Sequence, residues 1–482
     1  MIDARPAGHV IGLLTMVLGA AMALPLAADL LEGNGHWPVF FEAAVLTLLC
    51  GLSLTLATAN AVRDRLSLQQ TFLLTTGVWL ALPVFAALPF WLGATQSSPT
   101  DAFFEAMSGL TTTGSTVLAG LDDLPAGLLL WRGLLQWFGG IGVIVMAMVF
   151  LPELRVGGMQ IFRSEAFDTM GKVLPRAAEI SARISTIYAG ITVACALAYG
   201  AAGMDAFDAV VHAMTTVSTG GFANYDASFG AFKGTHEYIA TAFMLAAALP
   251  FVLYVRLADG EARPLWRDPQ VRAFLATFAA IAATIAAVLV LARGHGAEPA
   301  LREAAFNVAS ILTGTGYASA DYMLWGGFAV SAFFFIGLIG GCAGSTSCSV
   351  KVFRYQILFA AAKAQIRRIH SPHGVFRPRY DGRTVGDDVL NSVMAFFVLF
   401  VVSLGVFAVA LAMTGLDFVT AVSGAATALA NVGPGLGERI GPSGNFASLN
   451  DTAKWLLSAA MLTGRLELMA VFVLFTPRFW AA

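Results

Sequence analysis

The hydrophobic pattern of the chain consists of long apolar runs separated by short polar segments. A helix of about 20 apolar residues crosses a hydrocarbon core about 30 Å thick. The runs that are long enough lie near residues 10–28, 38–58, 71–94, 128–151, 183–203, 236–257, 272–293, 324–346, 388–413 and 453–475. The first run lacks a clear small-residue cleavage site and nine more follow it, which favours a helix over a signal peptide. The pattern therefore predicts ten transmembrane helices.

A second pattern of 14 residues occurs four times between these runs. Each copy begins with an oxygen-bearing residue followed by alanine and ends in a small polar or glycine-rich run; the copies are DAFFEAMSGLTTTG (101–114), DAVVHAMTTVSTGG (208–221), EAAFNVASILTGTG (303–316) and TAVSGAATALANVG (420–433). The opening residue suits a helix N-cap. The apolar part spans about ten residues, roughly 15 Å, or half of the hydrocarbon core. We expect four half-helices, one each between spans 3 and 4, 5 and 6, 7 and 8, and 9 and 10.

The repeat unit of about a hundred residues is too long for a solenoid and indicates a domain-like element copied four times. The predicted fold is an all-α polytopic membrane protein with four helix–pore-helix–helix repeats around one central pore, plus two extra N-terminal transmembrane helices. The expected divisions are 1–66 for the two extra helices and 67–155, 156–262, 263–360 and 361–482 for the four repeats.

Composition and charge agree with a membrane protein. Apolar residues make up 57% of the chain and charged residues 12%, against about 25% charged in soluble domains. With the N-terminus in the cytoplasm, 21 of the 28 Lys and Arg residues fall on the cytoplasmic side, as the positive-inside rule requires. The longest cytoplasmic segments are about 152–182 and 352–387. The second is strongly basic, which suits either anionic lipid or a cytosolic partner.

The four loops have the chemistry of a cation site. The carboxyl end of a helix carries partial negative charge, and backbone carbonyls freed at a glycine can replace the hydration shell of a cation. Irregular backbone at membrane depth is tolerated only beside protein or a water-filled path. The alternative is that the glycines serve only close helix packing. Four loops in register, each after a half-helix, favour pore loops.

The loops TTTGST, STGGF, TGTGY and ANVGPG, the stretch WRGLLQWFGGIGV from Trp131 and GRLE from Gly464 resemble the TrkH branch of the Trk/Ktr/HKT potassium transporters over nearly the whole chain. The resemblance implies K⁺ uptake across the bacterial inner membrane, with K⁺ as the transported ion and no cofactor. It also implies a homodimer with one pore in each subunit, contacts with membrane lipids, and a cytosolic TrkA-like regulatory subunit that binds NAD or ATP. It implies no nucleic-acid partner.

The resemblance assigns a K⁺ selectivity filter to nine residues, with K⁺ at the carbonyls of the four filter glycines. These glycines are Gly114, Gly221, Gly316 and Gly433, and the further candidate ligands are Thr112, Thr113, Gly220, Thr315 and Val432. In relatives, serine at the first filter glycine accompanies Na⁺ preference. All four positions are glycine here, which favours K⁺.

A gate is predicted beneath the filter. An arginine at the centre of a span, such as Arg465, costs about 2.5–3.5 kcal/mol and usually faces a cavity. Span 8 contains GLIGGCAGSTSCS from Gly337 to Ser349, a poor helix because each glycine costs about 1 kcal/mol relative to alanine. The resemblance implies that Arg465 is an electrostatic barrier and that this segment is a mobile loop, with Gly340, Gly341, Gly344 and Ser345 as gate residues.

Alternatives remain for both gate elements. Arg465 could instead form an ion pair with another helix, although Glu467 lies on a different face. The glycines of span 8 could serve packing through Gly337/Gly341 and Gly340/Gly344. Relatives usually show a glycine pair just before the lysine, where this chain has Cys348-Ser349 before Lys351.

The fifth position of each 14-residue copy holds Glu105, His212, Asn307 or Gly424. Proton coupling by Glu105 or His212 competes with hydrogen bonds that fasten each half-helix to its neighbour. The remaining histidines have no metal-ligand spacing, and the four cysteines are expected to be small buried hydrophobes.

Two other functions compete with a K⁺-conducting pore. A Na⁺-conducting pore or an H⁺- or Na⁺-coupled symporter is the closer alternative, but fourfold repetition argues against the midplane site of a symporter. A membrane enzyme would need a nucleophile and base or paired carboxylates in one cavity, and neither H-E-x-x-H nor G-x-S-x-G occurs. The chain also lacks G-x-x-x-x-G-K-[ST], so any nucleotide control requires another subunit.

Overall fold

The structure is a computed structural model that describes residues 3–61, 66–147, 157–162 and 173–481. Within these ranges it is helical except for loops and one hairpin, in which β1 (Arg379–Tyr380) pairs antiparallel with β2 (Arg383–Thr384). The helices are α1 (Arg5–Ala21), α2 (Ala23–Glu32), α3 (Trp37–Thr58), α4 (Leu68–Ala86), α5 (Leu88–Leu92), α6 (Pro99–Leu110), α7 (Ala126–Val145), α8 (Val173–Ala201), α9 (Ala206–Val217), α10 (Thr235–Ala247), α11 (Phe251–Ala258), α12 (Arg263–Arg267), α13 (Pro269–Arg293), α14 (Ala297–Thr313), α15 (Gly327–Gly337), α16 (Val352–His370), α17 (Asp387–Met413), α18 (Phe418–Ala430), α19 (Gly437–Ile440), α20 (Asp451–Arg465), α21 (Met469–Phe472) and α22 (Pro477–Ala481).

Seven segments of the described chain are long and apolar enough to cross a membrane. They are Arg5–Glu32, Trp37–Ala61, Leu68–Leu92, Ala126–Val145, Ser181–Ala201, Pro269–Arg293 and Asp387–Met413. Two bent pairs, Thr235–Ala247 with Phe251–Ala258 and Asp451–Arg465 with Met469–Phe475, raise the number to nine if each pair is one span. The chain is therefore a polytopic all-α membrane protein, as the sequence predicts.

Three predicted spans differ from straight helices. The span expected at 236–257 bends by 93°, where Pro250 has no N–H to continue the helix of α10. The span at 453–475 bends by 106°, because Glu467 and Leu468 take positive φ angles of 59° and 52° that no α-helix contains. The span at 324–346 has a helix only over Gly327–Gly337, and the following residues form an irregular loop.

The four predicted half-helices are α6, α9, α14 and α18, which we call the pore helices. They contain 12, 12, 17 and 13 residues. Each lies between the two flanking helices of its repeat: α4 and α7, α8 and α10, α13 and α15, or α17 and α20. The boundary expected at 155/156 between the first two repeats lies outside the described residues.

The pore helices begin before the residues that the sequence pattern selected as N-caps. The caps are Ser98, Asp205 and Asp417, which accept the N–H groups of Asp101, Phe207 and Thr420 at 3.1, 3.0 and 3.1 Å. The predicted caps Asp101, Asp208 and Thr420 thus lie three residues further on, in the first turn, where an acidic group still complements the helix dipole. Helix α14 starts at Ala297, so the remaining predicted cap, Glu303 of the third copy, lies inside the helix.

Candidate ion-conducting site

Each pore helix ends in the same backbone arrangement. The residue two places before each predicted filter glycine has a left-handed φ: 51° at Thr112, 50° at Thr219, 76° at Gly314 and 52° at Asn431. The next N–H then donates to the carbonyl five residues back, at 2.9, 2.9, 2.8 and 3.0 Å, from Thr113 to Ser108, Gly220 to Thr215, Thr315 to Ser310 and Val432 to Thr427. This turn reverses the chain away from the helix axis in all four repeats.

The four predicted filter glycines form a closed ring. They have φ angles of 82°, 75°, 86° and 109° at Gly114, Gly221, Gly316 and Gly433. A Cβ atom on any of them would come within 3.0 Å of a carbonyl oxygen in the next repeat: Gly220, Thr315, Val432 and Thr113 respectively. Real Cβ atoms essentially never approach that closely. The order of contacts runs through repeats 1, 2, 3 and 4 and returns to 1, so both backbone angle and space require glycine.

The backbone carbonyl groups of this ring have the chemistry needed to bind a dehydrated cation. The carbonyls of Thr113, Gly220, Thr315 and Val432 belong to four different repeats and lie against one another's glycines. Each follows the carboxyl end of a pore helix, where the helix dipole is negative. Carbonyl oxygens gathered in this way can take the place of water around an ion. Thr112, the remaining predicted ligand, is fully buried one residue earlier.

A polar cavity of about 390 Å³ opens on one side of the ring, and all four filter glycines line it. Arg132, Tyr225 and Asp226 also contribute to its wall. Asp226 accepts the backbone N–H groups of Gly120 and Leu121 at 2.8 and 3.0 Å, which joins the loops of the first two repeats. The cavity therefore leaves the four glycines of the ring accessible from that side.

A side chain on each pore helix binds the chain segment that follows the filter glycine of its own repeat. These four non-helical segments are called the exit strands. Glu105 accepts the N–H of Val117, His212 that of Asn224 and Asn307 that of Ser319, at 3.0, 3.4 and 3.3 Å. In the fourth repeat Ser423, beside Gly424, accepts the N–H of Leu436 at 2.9 Å. The spacing of 12 residues in three repeats and 13 in the fourth is a signal that the sequence reading missed. Glu105, His212 and Asn307 thus bind their own exit strands.

A buried ion pair lies behind the first pore helix. Arg132 and Glu105 are both about fully buried, and Arg132 Nε donates to Glu105 Oε1 at 2.9 Å. Arg132 Nη1 also donates to the carbonyl of Ala223 at 2.6 Å, on the exit strand of the second repeat. Its guanidinium lies 4.1 Å from the centre of the Phe222 ring. The pair therefore connects the first two repeats next to the ring.

The segment predicted as the gate loop, Gly337–Ser349, begins at the last residue of α15 and continues as an irregular segment to residue 351. We call residues 338–351 the gate loop; it contacts the first filter loop through Cys348, and none of its residues lines the polar cavity. It is not helical, so the alternative of glycine packing along a helix is wrong. Gly340 N donates to Val350 O and Cys342 N to Ala248 O, both at 2.9 Å. Ser345 Oγ donates to Cys342 O at 2.7 Å. The loop is thus a buried, hydrogen-bonded segment between α10 and the pore helices.

The loop is tied to other repeats through backbone contacts. Gly344 has a φ of 74° and its carbonyl accepts the N–H of Phe251 at 2.9 Å, at the bend between α10 and α11. A Cβ on Gly341 would lie 2.8 Å from the carbonyl oxygen of Ala248, directly after α10. Ser349 N donates to the carbonyl of Ala430 at 3.0 Å, the last residue of α18. The loop therefore contacts both a bent helix and a pore helix.

Arg465 lies where the gate loop meets the ring. It is 2% exposed, its Nη2 donates to the carbonyl of Gly139 at 2.9 Å, and its Nη1 contacts the sulfur of Cys348. Cys348 in turn lies 3.8 Å from the hydroxyl of Thr112, at the start of the first filter loop. The alternative of an ion pair finds no support, since the structure gives Arg465 no salt bridge within the described residues.

Glu467 pairs with Arg354 instead, through Oε2 and Nη2. Arg354 is fully buried at the start of α16, and its Nε donates to the carbonyl of Gly157 at 2.8 Å. Because α16 begins directly after the gate loop, this pair links the loop to the bend after α20.

Comparison with known proteins places this arrangement in one family. A model of the TrkH family, described as a cation transport protein, matches residues 36–481. The Trk system potassium uptake protein TrkI of Halomonas elongata is 45% identical over 98% of this chain and 96% of its own. The TrkH protein of Escherichia coli is 36% identical over 99% of both chains.

A solved structure agrees with these sequences. The crystal structure of the potassium transporter TrkH from Vibrio parahaemolyticus superimposes with a TM-score of 0.90 at 34% identity, over 99% of this chain and 100% of that one. The resemblance drawn from the loop motifs is therefore confirmed. Because the family model matches residues 36–481 and these relatives match nearly the whole chain, the chain belongs to the TrkH family of cation transport proteins.

Proposed function

We propose that the chain conducts K⁺ through a channel-like pore whose selectivity filter is the four-loop ring. The observation that carries the proposal is the cyclic contact of Gly114, Gly221, Gly316 and Gly433 with carbonyls of the next repeat. The relatives named as potassium uptake proteins support K⁺ as the ion. The filter residues are Thr112, Thr113, Gly114, Gly220, Gly221, Thr315, Gly316, Val432 and Gly433, and K⁺ binds at the glycine level.

Ion flow is controlled beneath the ring by the gate loop, with Gly340, Gly341, Gly344 and Ser345, and by the charge of Arg465. Support comes from their position, since Cys348 of the loop contacts both Arg465 and the filter residue Thr112. A cytosolic TrkA-like subunit that binds NAD or ATP moves the loop through α16. A cavity of about 590 Å³ beside this helix is lined by basic side chains, namely Lys363, Arg367, Arg377 and Arg379. These side chains give the regulatory subunit a basic surface to bind.

The protein resides in the bacterial inner membrane as a homodimer, with its N-terminus in the cytoplasm and contacts to membrane lipids. The excess of Lys and Arg on one side supports this orientation. The polar cavity then faces outward, and the basic surface of α16 faces the cytoplasm. The repeats divide at 67, 156, 263 and 361.

The proposal is tested by ⁸⁶Rb⁺ uptake into proteoliposomes that hold the purified protein. We expect external K⁺ to compete and Na⁺ not to compete, and the Gly114→Ser variant to lose part of that preference because its Cβ meets the carbonyl of Gly220. Equal competition by Na⁺ would leave a pore but remove the K⁺ assignment. Uptake that requires an H⁺ or Na⁺ gradient would indicate a symporter.

The Arg465→Ala variant is expected to take up ⁸⁶Rb⁺ faster than the wild type, by about tenfold, because a positive charge at the pore opposes a cation at close range. Arg465→Lys keeps the charge and serves as the control, with uptake near the wild-type rate. Initial rates in the same proteoliposomes measure both. A slower Arg465→Ala variant, or equal acceleration by both substitutions, would contradict an electrostatic barrier.

A further inference from the structure

The second filter loop departs from the other three at Gly220. The corresponding positions hold Thr113, Thr315 and Val432, so only this loop places two glycines in succession at the ring. Gly221 needs to be glycine because of its φ of 75° and the nearby carbonyl of Thr315. Gly220 has no positive φ, and its lack of a side chain needs another explanation.

Gln136 supplies that explanation. This residue of α7 is fully buried, and a Cβ on Gly220 would lie within 3.0 Å of its side-chain amide. Gln136 Nε2 donates to the carbonyl of Gly220 at 2.6 Å, and Gln136 Oε1 accepts the N–H of Phe222 at 3.0 Å. One side-chain amide therefore binds the backbone on both sides of the filter glycine Gly221.

The first and third loops are held in another way. There the hydroxyl at the ring position bonds the threonine two residues earlier, Thr111 to Thr113 at 2.8 Å and Thr313 to Thr315 at 2.7 Å. The second loop has no hydroxyl at that position, because Gly220 carries no side chain. In the second loop the side-chain amide of Gln136, from α7 of the first repeat, takes the place of this hydrogen bond within the loop.

We propose that Gln136 is a positioning residue that fixes the carbonyl of Gly220 in the ring and thereby sets the cation preference of the pore, an inference that rests on the proposed function. The Gly220 carbonyl is the one that faces Gly114. The side-chain amide of Gln136 on α7, and not a group of its own loop, holds this carbonyl in its direction. Without that bond the peptide between residues 220 and 221 can rotate, and a ring with one mobile carbonyl can close around a smaller ion.

The test compares K⁺ and Na⁺ competition with ⁸⁶Rb⁺ uptake for the wild type, Gln136→Met and Gln136→Glu in proteoliposomes. Met removes both hydrogen bonds at similar volume. Glu keeps the acceptor for Phe222 but cannot donate to Gly220 when ionised. We expect both variants to lower the ratio of the inhibition constants of Na⁺ and K⁺ by about tenfold. The ratio does not depend on how much of the protein is folded.

Gln70→Met is the matched control. Gln70 is 5% exposed and also binds two backbone groups, the N–H of Ser67 and the carbonyl of Asp3, each at 2.9 Å, in α4. It should keep the wild-type ratio. A K⁺-selective wild type with an unchanged ratio in both Gln136 variants would overturn this inference and leave the proposed function intact. A wild type without K⁺ preference would overturn the proposed function itself.

Discussion

Replacing Gly221 by alanine should abolish selective ⁸⁶Rb⁺ uptake. The added methyl would lie within 3.0 Å of both the carbonyl oxygen and the carbonyl carbon of Thr315, and 3.2 Å from the carbonyl carbon of Gly316. These are backbone atoms of the neighbouring filter loop, so no flexible side chain can move aside. The clash must displace one carbonyl of the ring, and we expect the preference for K⁺ over Na⁺ to fall at least about a hundredfold.

Gly260→Ala separates this clash from backbone strain. Gly260 has a φ of 91° and no heavy atom within 4 Å of a built Cβ, so its substitution brings a similar left-handed strain of about 1–2 kcal/mol away from the ring. The competition ratio and the uptake rate should both stay near wild type. If Gly260→Ala loses selectivity as Gly221→Ala does, or if Gly221→Ala retains it, the ring geometry does not decide selectivity.

The sequence predicted the features that repeat. The four 14-residue copies contain the predicted filter glycines in register. Seven of the ten helix-length apolar runs correspond to segments long enough to span a membrane, because the bilayer requires internal hydrogen bonding over about 20 residues. The left-handed φ angles at the four glycines agree with the reason that glycine was expected there. Repetition made each weak local signal into a strong one.

The features that depend on a partner elsewhere in the chain could not be predicted. Gln136 reads as one polar residue in WRGLLQWFGG, and its two backbone partners lie 84 and 86 residues away. The bend after Arg465 depends on positive φ angles at Glu467 and Leu468, which L-residues adopt only when the surroundings compensate the strain. Glu467 obtains such compensation from Arg354, 113 residues earlier.

The ion pair of Glu105 and Arg132 should be the most sensitive charged contact for stability. Removing one partner of a buried pair leaves an uncompensated charge and typically costs about 3–5 kcal/mol. We expect Glu105→Gln to lower the free energy of unfolding in detergent by this amount, measured by denaturant titration. The control is Glu298, whose side chain is 62% exposed and pairs with Arg302 at 3.0 Å. Arg302 keeps its second partner, Glu237, when Glu298 is replaced, so Glu298→Gln should cost less than about 1 kcal/mol.

The double variant Glu105→Gln/Arg132→Met decides whether the two charges act together. If each charge matters because the other is buried beside it, the double variant loses less stability than the two single variants combined. Some loss remains, because Arg132 also donates to the carbonyl of Ala223 at 2.6 Å. Additive losses would contradict the coupling. This pair joins the exit strands of the first two repeats. The same double variant should therefore lower the ratio of the inhibition constants of Na⁺ and K⁺ in ⁸⁶Rb⁺ uptake, while Glu298→Gln should leave that ratio unchanged.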